Sequence, residues 1–99
     1  MQRNKLKIFS GRSNPRLADN IAKSLDRRLG EISIRTFSDG EIWVKYEENI
    51  RGCDVFIIQS TNGPSENIME LALLVDAAVR ASADTVTAVS YTHLTLPTN

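Results

Sequence analysis

The run Phe37-Ser38-Asp39-Gly40-Glu41 places an aromatic ring and two carboxylates around a single glycine. A purine needs a flat apolar surface to stack on and acceptors for its exocyclic amine, and these side chains supply both. Spacing alone favours a plainer reading, an Asp-Gly hairpin with a solvated acid beside it, because such turns are common. Further on, Arg51-Gly52 sets a planar, permanently charged donor beside a glycine, a pair able to grip a phosphate with two N–H groups. The competing reading is a surface arginine paired with Glu47, Glu48 or Asp54. Ser10 to Asn14 leads into a helix N-terminus, where free N–H groups can hold an anion. Its single glycine, Gly11, makes it neither a P-loop nor a dinucleotide fingerprint, so a capped turn fits it better. Gln59-Ser60-Thr61 ends an apolar strand, a place where α/β proteins put ligands, and is a candidate lining. Cys53, beside that strand, reads as a small apolar residue. His93 is the only histidine and has no partner cluster. No metal-ligating group is read from the sequence.

The elements that must position these residues follow from periodicity. Lys5–Phe9 reads as a short strand. Asn14-Pro15 reads as an N-cap with proline at the first helical position. Leu17, Ile21, Leu25 and Leu29, with Ala18 and Ala22, then form one apolar stripe, and Gly30 is expected to end the helix. Ile32, Ile34 and Thr36 alternate with polar neighbours, as do Ile42, Val44 and Tyr46 beyond Asp39-Gly40, which predicts a hairpin. Trp43 and Tyr46 suit its packing faces or a subunit interface. After the polar loop of residues 47–54, the apolar run Val55–Ile58 suits a strand covered on both faces. Asn67 and Glu70 have capping-box spacing ahead of a second helix with Ile68, Leu71, Ala72, Val75, Ala78 and Val79 on its apolar positions. Thr85–Val89 is a β-branched strand. Strands centred on Ile8, Ile34, Val44, Ile57 and Thr87, and helices on Ile21 and Leu74, predict an α/β fold. In it a parallel sheet joins the segments at Ile8, Ile57 and Thr87.

Composition narrows the classes. The chain has 99 residues, 12 basic and 12 acidic, for a formal net charge of zero. That balance argues against nucleic acid as a partner, and no polybasic or lipidation signal argues for a membrane. No apolar run approaches the roughly 20 residues of a bilayer span. One cysteine cannot form an internal disulfide, so the expected compartment is the cytoplasm.

Taken together, Lys7-Ile8-Phe9-Ser10-Gly11, Phe37-Ser38-Asp39-Gly40-Glu41, Arg51-Gly52-Cys53-Asp54, Ile57-Ile58-Gln59-Ser60-Thr61 and Asn67-Ile68-Met69-Glu70-Leu71 resemble the N-terminal part of ribose-phosphate pyrophosphokinases. The resemblance runs in register from about Lys5 to Val89. It implies a three-layer, mainly parallel α/β domain with a hairpin extension, the N-terminal half of a type I phosphoribosyltransferase-like pair. It implies an enzyme that transfers diphosphate from ATP to ribose 5-phosphate, giving phosphoribosyl pyrophosphate and AMP. By the same resemblance, Phe37, Asp39, Gly40 and Glu41 hold the adenine of ATP in a neighbouring subunit of a homo-oligomer. Arg51, Ser82 and the position of Asn49 belong to an allosteric phosphate site; family members often carry serine where Asn49 stands.

The resemblance also implies that Mg²⁺ serves the full enzyme through ligands outside this chain, and that the catalytic groups lie downstream. Residues 1–89 are therefore expected to be a partial N-terminal domain, inactive alone. Residues 90–99 match no element of the family and read as an unrelated tail, from read-through or an assembly junction. Two other readings stay open at this point: a non-catalytic regulatory homologue that binds the enzyme, and an unrelated α/β binding module.

Overall fold

The structure, a computed structural model, describes residues 5–61 and 65–91. Its elements are β1 (Leu6–Ser10), α1 (Pro15–Ser24), β2 (Ile32–Thr36), β3 (Ile42–Tyr46), β4 (Asp54–Ser60), α2 (Ser65–Arg80) and β5 (Thr85–Tyr91). β1, β4 and β5 form one sheet in the order β1-β4-β5, with both pairs parallel, and β2 and β3 form a separate antiparallel hairpin.

Alternation along the central strands makes the domain three layers thick. Ile8 and Ile58 face α1 and pack with Ala18 and Ala22. Phe9, Val55 and Ile57 face the other way, onto Leu71, Leu74 and Ala78 of α2. The hairpin joins this second layer through Ile32, Ile34, Val44 and Tyr46, the inward half of its alternating pattern. Tyr46 meets Phe9 edge-to-face, with ring centroids 4.7 Å apart. Arg35 lies over the ring of Trp43, its partner across the hairpin, on the outward face.

The start of α1 is as expected. Asn14 Oδ1 accepts the N–H of Leu17 at 3.1 Å, and Pro15 opens the helix. Its end is not. The helix stops at Ser24, Asp26 takes a left-handed φ of 58°, and Leu25 is exposed. Gly30 is not the cap. Its N–H donates to Ile8 O at 2.7 Å, and an added Cβ would lie 2.4 Å from the Phe9 ring. Close approach of the returning chain to β1 therefore requires glycine there.

The second helix also departs from its expected outline. It begins at Ser65, so Asn67 and Glu70 lie inside it and form no capping box. Glu70 is only 3% exposed, on the same face as Leu71, Leu74 and Ala78, while Ile68 and Val79 are exposed. A helix buries the stripe its neighbours cover, and β4 and the hairpin cover this one. Strand β5 runs on through Ser90 and Tyr91, opposite Gln59 and Ser60, because β4 still offers backbone partners there. The first two residues of the expected tail thus belong to the sheet. Residues 92–99, with His93, lie outside the described residues.

Candidate functional site

The turn that carries Phe37, Asp39 and Glu41 is built by its own backbone. Phe37 N donates to Glu41 O at 2.8 Å, closing the hairpin, and Gly40 N donates to Phe37 O at 2.8 Å. Gly40 has φ 90°, a conformation that strains any residue with a Cβ. Asp39 Oδ1 accepts the N–H of Glu41 at 3.0 Å. One carboxylate oxygen thus shapes the turn. Residues 37–41 are all exposed, and the Phe37 ring is 47% exposed.

Beside the turn runs a cleft of about 700 Å³, lined by Gly40, Glu41, Ile42 and the first half of α2. The hairpin is fastened to the domain elsewhere. Tyr46 Oη donates to Leu74 O at 2.8 Å, and burial pushes its phenol pKa up. At the hairpin base, Glu48 takes the ammonium of Lys7 and, at 2.6 Å, the N–H of Glu31. The hydrogen bond from Lys7 and then that from Glu31 hold its carboxyl below the usual carboxylate range.

Arg12, Ser13, Gln59 and Glu70 form a polar network that periodicity does not reveal. Glu70 Oε2 accepts Arg12 N at 2.7 Å and Gln59 Nε2 at 3.1 Å, and Glu70 Oε1 accepts Arg12 Nε at 2.9 Å. Gln59 Oε1 accepts the Ser13 N–H and hydroxyl, and Ser13 Oγ accepts Ser60 N. Gln59 is 1% exposed, and its amide is fully engaged within the network. One signal for Glu70 was present in the sequence: a lone acid on the stripe of Leu71, Leu74 and Ala78. A buried carboxylate needs this many donors to offset its lost hydration.

The second predicted group also comes together. Asn49 Oδ1 accepts Arg51 N at 3.1 Å, and Gly52 N donates to Ser82 O at 2.9 Å. Gly52 and Ser82 both have positive φ, 74° and 67°. Among the described residues, no acid pairs with the Arg51 guanidinium. Glu47 takes the Ser33 hydroxyl, Glu48 takes Lys7 and Asp54 takes Thr85. This group precedes β4 and β5, at the N-terminal edge of the sheet. Arg12, which follows β1, touches Thr36 of the hairpin at 2.7 Å, so the adenine-binding candidate lies toward the C-terminal edge. A strand the length of β4 separates the two edges by roughly 20 Å.

Among the described residues, no helix is long and apolar enough to cross a membrane, and no three His, Cys, Asp or Glu side chains gather as metal ligands. Fold and site together define a three-layer α/β domain that displays an aromatic-and-acid turn on a hairpin outside its parallel sheet. Residues 6–92 match the N-terminal domain of ribose phosphate pyrophosphokinase, and the chain belongs to that family. It is 54% identical over 86 residues to ribose-phosphate pyrophosphokinase 2, chloroplastic, of Spinacia oleracea, covering 86% of this chain and 22% of the relative. It is 56% identical over 84 residues to ribose-phosphate pyrophosphokinase of Chlorobaculum tepidum, covering 85% of this chain and 26% of the relative. The crystal structure of phosphoribosylpyrophosphate synthetase from Mycobacterium smegmatis superposes with a TM-score of 0.78 at 39% identity, over 88% of this chain and 30% of that one. The chain thus spans about a quarter of the length of the relatives it matches.

Proposed function

We propose that this chain is the nucleotide-holding N-terminal part of a ribose-phosphate pyrophosphokinase. The parent enzyme transfers the β,γ-diphosphoryl group of ATP to the anomeric hydroxyl of ribose 5-phosphate, releasing AMP. The observation that carries this reading is the turn at Phe37–Glu41, whose backbone is closed by its own hydrogen bonds and whose ring and acids are exposed. The Phe37 face stacks on adenine, and Asp39 and Glu41 accept hydrogen bonds from its amine. A site shared with a second copy in a homo-oligomer accounts for the exposure, since nothing among the described residues covers this surface.

Bound Mg²⁺ neutralises charge that gathers on the transferring diphosphate. By the family resemblance its ligands lie in the remainder of the enzyme. Asn49, Arg51 and Ser82 serve a separate anion site, of the size and charge of phosphate. The cytoplasm is the proposed compartment, although some relatives are chloroplastic by name. A regulatory homologue is the second reading, and the intact Asp39-Gly40-Glu41 favours the enzyme over it.

The test is a fusion of residues 1–89 to the downstream part of a family enzyme. There Asp39→Ala or Glu41→Ala raises KM for ATP about ten- to a hundredfold, the effect of losing one hydrogen bond to a carboxylate. KM for ribose 5-phosphate stays nearly constant, and Phe37→Ala also weakens ATP. Unchanged ATP kinetics in both carboxylate variants would leave the turn purely structural.

A further inference from the structure

The turn stands outside the sheet, and its internal hydrogen bonds say nothing about where it points. The cleft of about 700 Å³ between the turn and α2 leaves that side unpacked. Tyr46, the last residue of β3, and Glu48 just beyond it fasten the hairpin at its far end. At the near end stands Thr36, the last residue of β2 and the one before Phe37. Its hydroxyl takes Arg12 Nη2 at 2.7 Å, and the same Nη2 lies 2.9 Å from Glu70 Oε1. Arg12 thus has one end in the buried network and the other on the hairpin. Among the described residues, this is the polar side-chain contact nearest the turn that reaches another element.

We propose that Arg12 is a positioning residue for the nucleotide site, a strut that transmits the rigid placement of buried Glu70 through Thr36 to the Phe37–Glu41 turn. The inference rests on the reading that this turn holds adenine. Glu70 suits an anchor because its oxygens are held by Arg12 N and Gln59 Nε2 as well as by the guanidinium. Arginine suits the strut because its planar fork reaches both acceptors at once. A lysine ammonium on the same stem keeps the charge beside Glu70 but cannot repeat the geometry. The Arg12 side chain is 44% exposed, so its loss leaves no buried orphan on the hairpin side, and its effect falls on orientation.

The test uses an enzyme of full family length carrying residues 1–91 of this sequence, with ATP as the probe. Thr36→Val removes the acceptor and leaves the Arg12–Glu70 pair intact. The expected result is a rise in KM for ATP of about three- to tenfold, the scale of one hydrogen bond. KM for ribose 5-phosphate, kcat and the thermal midpoint stay near their starting values. Arg12→Lys gives the same rise in KM for ATP, with a lower thermal midpoint because it also gives up the Arg12 Nε bond to Glu70. The two changes together raise KM no further than either alone, since both cut one link. Thr36→Ser restores the hydroxyl and the affinity. Faster amide exchange at Phe37 and Gly40, with none at Val55 or Ile57, reports the loosened turn independently of activity. If Thr36→Val and Arg12→Lys leave KM for ATP unchanged while Asp39→Ala raises it, the strut is refuted and the adenine site stands. If Asp39→Ala and Glu41→Ala are also silent, the nucleotide reading falls and the strut falls with it.

Discussion

The phenol of Tyr46 donates to the backbone carbonyl of Leu74 at 2.8 Å, fastening β3 to the middle of α2 across a hydrophobic layer. The ring itself packs on Phe9, so Tyr46→Phe isolates the hydrogen bond. It should lower stability by about 0.5–1.5 kcal/mol. Chemical denaturation of wild type and variant measures the difference, and an equal midpoint would show the bond to be idle.

Gly11 is held by close approach. A Cβ on it would lie 2.1 Å from Gln59 Oε1, and Gln59 is locked by Ser13, Asn67 and Glu70. Gly11→Ala should therefore cost about 1–3 kcal/mol through overpacking. In a Gln59→Ala background the same change should cost less, because the clashing group is gone. Thermal melts of the four proteins complete the cycle.

Glu70 should tolerate neither neutralisation nor removal. Glu70→Gln keeps the shape but turns one acceptor into a donor facing Arg12 or Gln59, a loss of about 1–3 kcal/mol. Glu70→Leu leaves the Gln59 amide short of one acceptor and should cost at least as much. A stability gain in either variant would mean that the buried carboxylate is not an anchor.

Glu48 should make stability depend on pH. Its folded pKa is depressed, so its contribution is present above the ordinary glutamate pKa of about 4.3 and is lost as pH falls through the folded value. Glu48→Gln should therefore destabilise by roughly 1–2 kcal/mol at neutral pH. Wild type and variant should converge in acid below that range. A gap that persisted undiminished there would assign the effect to packing.

Arg51 should govern an anion response distinct from ATP binding. In the fused enzyme, Arg51→Ala should shift the half-maximal phosphate effect upward by about tenfold or more, the scale of a charge-assisted hydrogen bond. KM for ATP should hold, because the two groups sit at opposite edges of the sheet. Activity measured across a phosphate series separates the two.

Local patterns carried most of the fold. The alternation of Ile32, Ile34, Val44 and Tyr46 around Asp39-Gly40 is enough to form a hairpin, because its turn and pairing are set within a few residues. The apolar runs at Ile8, Ile57 and Thr87, with helices between, leave a parallel sheet as the natural arrangement. Asn14 likewise caps the helix that directly follows it. Gly30 and Glu70 carried equally clear local signals that pointed elsewhere, to a helix end and a capping box. Only the folded chain decides their roles. Gly30 serves the Phe9 ring on β1, and Glu70 meets Arg12 from 58 positions away. Capping and pairing depend on neighbours in sequence, whereas burial of a charge depends on which distant donors the layers bring to it.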